Sequence, residues 1–192
     1  MYQLQIPQQT ITIEGDTYDY KFFKDVSMKF TIDSFRKDLF LFLGEWFSDS
    51  PYLTIKTSGS TGTPKEILVE KKRMMQSALL TCSFLNLNKG DKALLCMSLD
   101  YIAGKMMVVR ALVAGLDLYL IEPKGNPLKD IDVRFDFAAM IPMQVYSSLQ
   151  SDIEKERLQK IRNLIIGGGA IDDKLENELK HFTNNIYSTY GM

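Results

Sequence analysis

The sequence alternates between two apolar periods, and this alternation restricts the fold more than any other feature. Strand-like apolar runs recur along the chain as YLTIK, EILVE, DKALLCM, LDLYLIEP, FDFAAMIP, IRNLIIGGGA and NIYSTY. Between most of these runs, apolar residues step by three and four, which is the spacing of a helical face. These helical stretches cover residues 32–46, 71–85, 102–113 and 173–182. Strands that alternate with helices predict an α/β fold with a mostly parallel sheet flanked by helices on both faces.

A β-rich lead-in precedes this alternation. The run TITIEGDTYDYKF alternates polar and apolar residues around a turn signal, so residues 10–30 are predicted to form short strands. Gly115 follows the third helical stretch, where a helix C-terminus favours glycine. Asp173 and Glu176 have the spacing of a capping box for the last helix. Because no linker or repeat divides the chain, we predict one α/β domain over residues 1–192, with a lead-in at 1–30.

Composition narrows the classes of protein and of partner. With 45% hydrophobic and 24% charged residues, the chain is predicted to form a packed core. The net charge of −1 gives no reason to expect a nucleic-acid or membrane partner. Cys82 and Cys96 lie in apolar segments and are predicted to be buried thiols. His181 is the only histidine, which argues against a histidine base or a histidine-rich metal site. Without a secretory signal or a membrane-length apolar run, we expect a cytoplasmic protein.

The segment TIKTSGSTGTPKEILV, residues 54–69, places a run of Thr, Ser, Gly and Pro between two strand-like stretches. Glycines let the backbone approach a ligand, successive N–H groups attract anions, and a lysine adds a full positive charge. The order differs from the common P-loop, because a proline precedes the lysine. A flexible surface linker is the alternative interpretation. The predicted polyphosphate pocket consists of Thr57, Ser58, Gly59, Ser60, Thr61, Gly62, Thr63 and Lys65.

The stretch TSGSTGTPKE resembles the phosphate-binding signature of the adenylate-forming superfamily, which contains acyl-CoA ligases, luciferase and peptide-synthetase adenylation domains. The resemblance implies a loop that holds the β- and γ-phosphates of ATP while a carboxylate attacks the α-phosphate. Coenzyme A and Mg²⁺ are implied as co-substrate and phosphate-bridging ion. Lys65 is implied as the residue that offsets charge on the leaving pyrophosphate.

Two further segments match the superfamily. NLIIGGGAID is weak as a dinucleotide fingerprint, because a third glycine is missing, and it could be an ordinary strand-to-helix turn. In the superfamily a glycine-rich turn at this place lies against the adenine and the acyl group, and Gly167, Gly168, Gly169 and Ala170 match it. The C-terminal STYGM is similar to a Tyr-Gly-aliphatic-Thr-Glu motif in which the tyrosine stacks on adenine and the glutamate binds Mg²⁺. The residues matched there are Tyr190, Gly191 and Met192.

The C-terminal STYGM lacks the threonine and glutamate that follow in the superfamily motif, so no metal ligand is assigned. The resemblance also implies a mobile C-terminal lid domain with a catalytic lysine, which this sequence lacks. We therefore expect an N-terminal fragment of a longer enzyme, incomplete or inactive alone. An exposed edge of its partial sheet would permit pairing with a second chain, as in a homodimer.

The acid substrate is expected to contact the segment MSLDYIAGKMMVVRALVAG, residues 97–115. It resembles the superfamily stretch His-x-x-Gly that gates the acyl pocket, with Tyr101 at the histidine and Gly104 at the glycine. Arg110 lies in an apolar helix and needs an anionic partner or a route to water. An arginine at this position resembles the pattern in o-succinylbenzoate–CoA ligases of menaquinone synthesis, whose substrate has two carboxylates. Lys105 is a second candidate, and a surface salt bridge is the other interpretation of either residue.

Three functions remain open from the sequence. The first is an ATP-dependent carboxylate–CoA ligase, with o-succinylbenzoate as the expected acid. The second is an adenylating enzyme for a fatty, aryl or amino acid, for which Asp100 lies near the region that would hold an ammonium group. The third is a nucleotide-binding module without catalysis.

Overall fold

The computed structural model describes residues 2–25, 34–56 and 65–189. A short 3-10 helix at Ile6–Gln8 precedes the first strand. The strands are β1 (Thr10–Ile13), β2 (Asp16–Asp19), β3 (Tyr52–Lys56), β4 (Glu66–Glu70), β5 (Lys92–Leu95), β6 (Asp117–Leu120), β7 (Phe137–Met140), β8 (Asn163–Ile166) and β9 (Asn185–Ser188). The α-helices are α1 (Tyr20–Asp25), α2 (Ser34–Trp46), α3 (Lys71–Phe84), α4 (Ile102–Ala114), α5 (Pro142–Leu149), α6 (Asp152–Gln159) and α7 (Asp173–Leu179).

A seven-stranded sheet in the order β2-β1-β6-β5-β7-β8-β9 forms the centre of the fold. All neighbouring pairs in it are parallel except the β1–β2 hairpin, which is antiparallel. Strands β3 and β4 form a separate antiparallel hairpin. The predicted α/β architecture with a mostly parallel sheet is confirmed.

Helices cover both faces of this sheet because side chains alternate along each strand. On β5, Ala93 and Leu95 pack on the side of α2, α3 and α4. Leu94 and Cys96 point the other way, into a second cluster with apolar residues of α5, α6 and α7. The near-continuous apolar strands of the sequence therefore reflect burial on two faces.

The N-terminal residues belong to the main sheet. Ile11 and Ile13 of β1 are fully buried, and β1 pairs in parallel with β6. The predicted turn is present, with Glu14 and Gly15 both at positive φ. Short strands throughout 10–30 were a wrong prediction, because Tyr20–Asp25 is a helix. Its aromatic residues pack on one another and on α2, and Phe23 stacks on the ring of Phe47 at 5.3 Å. This tertiary packing overrides the strand-like alternation.

The predicted helices are confirmed with two corrections. On α2 the residues Phe35, Leu39, Phe42 and Trp46 are all buried, whereas Ile32 lies outside the described residues. The N-cap of α7 is Asp172, whose carboxylate accepts the Leu175 N–H, and not Asp173. The sequence analysis also missed α6, because this helix is strongly polar and buries only Glu154 and Leu158.

Both cysteines are buried free thiols, as predicted. Burial raises the pKa of the Cys82 thiol to about 11 and that of Cys96 to about 12. These values keep both side chains neutral near pH 7. Within the described ranges, no helix is both long and apolar enough to cross a membrane.

Candidate functional site

The carboxyl ends of β5 to β9 meet at one edge of the sheet, because these strands are parallel. From β5 the chain passes into α4 on one face, and from the adjacent β7 it passes into α5 on the other face. Such a divergence leaves a crevice between two strands, and ligands of open α/β sheets bind at this kind of position. We call this edge the carboxyl edge.

The predicted glycine turn lies at the carboxyl edge, directly after β8. The Gly167 N–H donates to the Met140 carbonyl at the end of β7, over 3.1 Å. A side chain at Gly167 would meet Thr189 Oγ1 at 2.6 Å, and one at Gly168 would meet Ile141 Cγ2 at 3.2 Å. Gly168 also has φ of +79°, which favours glycine. The turn is therefore packed closely between the segments that follow β7 and β9.

The other residues predicted to contact the adenine either complete this turn or follow β9. Gly169 and Ala170 complete it and are exposed. Thr189, which follows β9, donates its N–H to the Ile166 carbonyl over 2.8 Å. The next residues are Tyr190, Gly191 and Met192, which lie outside the described residues.

The β3–β4 hairpin carries the ends of the predicted phosphate loop to the start of α4. Lys56 of β3 pairs with Glu66 of β4, and Lys56 also forms a parallel bridge with Tyr101. Lys65 is exposed immediately before β4. The loop residues themselves lie outside the described residues, namely Thr57, Ser58, Gly59, Ser60, Thr61, Gly62 and Thr63, with Pro64. Both ends of the loop thus lie near Tyr101, in the connection that leaves β5.

Tyr101 and Gly104 begin α4 and have different environments. Tyr101 is the N-cap residue, and its side chain is 42% exposed. Gly104 is buried, and a Cβ there would lie 2.2 Å from the Ser98 carbonyl oxygen and 2.9 Å from the Met97 carbonyl oxygen. Glycine at this position lets α4 rest directly on the backbone that follows β5. Packing accounts for Gly104 without a ligand.

Lys105 turns toward the hairpin and α2. Its Nζ donates to the Thr54 carbonyl over 3.3 Å and lies 5.4 Å from the centre of the Phe42 ring. The side chain also lines a hollow of about 160 Å³ together with Asp38, Glu45 and Asp100. The structure thus joins Lys105 to the hairpin, and the glycine turn is not among its contacts.

Arg110 is half-buried between α4 and the sheet, and its Nε atom is fully buried. Its guanidinium carbon lies 5.9 Å from the centre of the Phe137 ring, and its Nη1 lies 3.8 Å from Met107 Sδ. The Nε atom has no hydrogen-bond partner, and no carboxylate of the described residues forms an ion pair with this side chain. Burial lowers the pKa of Arg110. Because Phe137 is the first residue of β7, Arg110 lies under α4, away from Tyr101 and the glycine turn.

Sequence analysis missed Gln144, which lies at the carboxyl edge. It is 3% exposed, and its side-chain amide forms hydrogen bonds with segments that follow three different strands. The signal that could have revealed it is the Ile-Pro-x-Gln order, in which proline begins a helix and glutamine reaches back to cap it.

A second concave region lies at the opposite edge of the sheet, with a volume of about 770 Å³. Three of its four cations have carboxylate partners: Arg162 pairs with Asp91 and Asp136, Lys160 with Glu156, and Arg157 with Asp132. Paired cations weaken the attraction for an anionic ligand, so the carboxyl edge is the stronger candidate. Over the described part of the chain, no group of three or more His, Cys, Asp or Glu side chains is arranged to hold a metal ion.

Comparison with known proteins identifies the family. The family described as AMP-binding enzyme matches residues 42–192. The chain is 26% identical over 140 residues to a 2-succinylbenzoate–CoA ligase of Geobacillus sp. strain WCH70, covering 71% of this chain and 28% of that ligase. It is 27% identical over 152 residues to tyrocidine synthase 3 of Brevibacillus parabrevis, covering 75% of this chain and 2% of that protein.

A solved structure gives the same result at the level of the fold. The acyl-CoA synthetase (AMP-forming)/AMP-acid ligase II-like protein of Dyadobacter fermentans superimposes with a TM-score of 0.80 at 32% identity. The match covers 90% of this chain and 49% of that protein. The chain therefore spans about half or less of the length of these relatives.

Proposed function

The chain belongs to the AMP-binding enzyme family, and from this premise we propose that it forms the nucleotide-binding part of an ATP-dependent carboxylate–CoA ligase. In this reaction a carboxylate oxygen attacks the α-phosphorus of ATP, and pyrophosphate leaves. The sulfur of coenzyme A then attacks the acyl carbon, and AMP leaves as the thioester forms. The observation that supports the proposal most is that the glycine turn follows β8, while the ends of the phosphate loop lie beside Tyr101 in the connection that leaves β5, a parallel strand of the same sheet.

Within this proposal the residues of the chain bind and orient ATP. The loop Thr57–Thr63 and Lys65 hold the β- and γ-phosphates, and the lysine offsets the charge that develops on the leaving pyrophosphate. Gly167, Gly168, Gly169 and Ala170 present backbone to the adenine and acyl groups, and Tyr190, Gly191 and Met192 are proposed to contribute to adenine binding. Magnesium bound to ATP would neutralise phosphate charge. The buried free thiols agree with a reducing, cytoplasmic setting.

The proposed acid is o-succinylbenzoate, and Arg110 is the residue that favours it. A half-buried guanidinium whose Nε atom is buried without a hydrogen bond, and which has no carboxylate partner among the described residues, would be stabilised by an anion. The second carboxylate of a dicarboxylic substrate would be such an anion. Because Arg110 lies beside the first residue of β7, this proposal requires the acid to extend from the carboxyl edge along the space under α4. Tyr101 would contribute its ring to the wall of the acid pocket. Lys105 is the weaker candidate, because its Nζ already contacts Thr54 and Phe42.

The second candidate is an adenylating enzyme for a different acid. The chain is 26% identical to the succinylbenzoate ligase and 27% identical to tyrocidine synthase 3, so identity does not select the substrate.

Acid-dependent exchange of pyrophosphate into ATP tests the proposal. The assay uses the full-length protein that contains this chain, with o-succinylbenzoate, benzoate, a medium-chain fatty acid and mixed amino acids in parallel. We expect exchange with o-succinylbenzoate. Exchange with another acid only would retain the chemistry and refute the substrate, and absence of exchange with every acid would favour a nucleotide-binding module.

Two lysine variants serve as a matched pair in the same assay. Lys65→Ala should lower the exchange rate by about 100-fold, because one charge that stabilises the departing pyrophosphate is lost. Lys72→Ala changes an exposed lysine on α3 and should leave the rate unchanged. Equal rates for the two variants would remove Lys65 from its proposed role.

A further inference from the structure

Gln144 connects the ends of three parallel strands at the carboxyl edge. Its Nε2 donates to the Cys96 carbonyl after β5 at 2.8 Å and to the Lys124 carbonyl in the segment after β6 at 3.0 Å. Its Oε1 accepts the Ile141 N–H directly after β7, at 3.1 Å. Few side chains can supply two donors and an acceptor from one planar group, so this site requires a primary amide.

The segment held by Gln144 also supports the glycine turn. Ile141 Cγ2 would be 3.2 Å from a Cβ at Gly168, and Pro142 Cγ would be 3.5 Å from one at Gly169. Ile141 and Pro142 therefore lie close against the turn, and the Gly167 N–H also donates to the carbonyl of Met140, the residue before them. We expect a movement of this segment to be transmitted to the turn. Because Gln144 is buried, water does not readily replace its hydrogen bonds.

From these contacts we propose that Gln144 is a positioning residue for the nucleotide, which holds the glycine turn at a fixed distance from the segment after β5. This inference rests on the proposed function, since it assigns the glycine turn to ATP. Gln144 does not itself contact the reacting atoms in this account. It acts through Ile141 and Pro142.

Two substitutions separate positioning from packing. Gln144→Met keeps the length of the side chain and removes every hydrogen bond, so ATP binding should weaken about tenfold. Gln144→Glu keeps the shape but, when ionised, places negative charge against the Cys96 and Lys124 carbonyl oxygens. When protonated, the same carboxyl can donate one hydrogen bond and accept another. ATP affinity of the Glu variant should therefore recover toward that of the wild type as pH falls from 8 to 6, whereas the Met variant should show no such recovery.

The experiment measures binding of Mg²⁺–ATP by calorimetry, together with hydrogen exchange of the amides at residues 141 and 167–169. Gln150→Met is the control, because Gln150 is an exposed glutamine at the end of the same helix. We expect weaker binding and faster amide exchange for Gln144→Met and no change for Gln150→Met. ATP binding by all variants with the affinity of the wild type would overturn the inference, and so would a Glu variant with no pH-dependent recovery.

Failure of the proposed function gives a different pattern. If the wild-type protein binds no ATP, the proposed function fails, and amide exchange alone then tests the link between Gln144 and the glycine turn. Faster exchange at 141 and 167–169 in Gln144→Met would retain only this mechanical link, whereas unchanged exchange would overturn that link as well.

Discussion

Gly104→Ala tests whether close packing, and not flexibility, fixes the start of α4. The added Cβ would lie 2.2 Å from the Ser98 carbonyl oxygen, 2.8 Å from its carbonyl carbon and 2.9 Å from the Met97 carbonyl oxygen. All three neighbours are backbone atoms that cannot rotate away. Relief of the shortest contact requires α4 and this segment to separate by about 1 Å.

Two opposing terms determine the sign of the effect. Glycine to alanine inside a helix normally stabilises a protein by about 1 kcal/mol. Overpacking in a rigid environment costs about 3 kcal/mol. The free energy of unfolding should therefore fall by about 2 kcal/mol, which corresponds to a decrease in Tm of about 4–8 °C for a chain of this size.

Urea unfolding followed by circular dichroism measures this change. Gly125→Ala is the matched control, because its Cβ would meet only Ser147 Oγ at 3.7 Å, an ordinary contact. The control should change the free energy of unfolding by less than about 0.5 kcal/mol. A Gly104→Ala protein as stable as the wild type, or more stable, would refute the packing argument.

Three other changes follow from buried or paired ionisable groups. Arg110→Met should raise the free energy of unfolding by about 1 kcal/mol in urea titrations, because it removes a half-buried charge that has no carboxylate partner among the described residues. Exchange with o-succinylbenzoate should be lost in the same variant, and lower stability with full activity would contradict this. Tyr146→Phe removes the hydrogen bond that lowers the pKa of Asp172, so NMR titration should show that this pKa rises. As pH is lowered, the variant should therefore lose the stabilising contribution of ionised Asp172 at a higher pH than the wild type does. Cys82 and Cys96 should resist Ellman's reagent at pH 8 until the protein is denatured. Rapid labelling of the native protein would disprove their burial. Since folding raises both thiol pKa values, the contribution of the two thiols to the free energy of unfolding should be fully present below about pH 9 and should decrease as pH rises toward 11 and 12.

Apolar periodicity was sufficient to predict most strands and helices of this chain. The stretches ALLCM at 93–97 and LII at 164–166 are apolar at every position, which is typical of strands buried on both faces of a sheet. The order of strands was not predictable in this way. The pairing of β1 with β6 joins residues about a hundred positions apart, and no local pattern encodes such a contact.

The candidate site was predictable where it depends on backbone and not where it depends on side-chain direction. The glycine turn was recognisable because three adjacent glycines permit close packing against Ile141 and Thr189. Lys105 and Arg110 were predicted together, yet α4 directs them to different neighbours, Thr54 and Phe137. Their directions depend on the rotation of α4 against the sheet, which is set by Gly104 and its contact with Ser98.

Photolabelling with 8-azido-ATP would test most directly whether the nucleotide binds at the carboxyl edge. The protein is irradiated with the probe in the presence of Mg²⁺, with and without excess ATP, and labelled residues are identified by tandem mass spectrometry. Because the azide is carried by the adenine, we expect ATP-protected labels within residues 167–172 or 188–192. Protected labels within 157–162 or 183–185, which line the cavity at the opposite edge, would contradict the account.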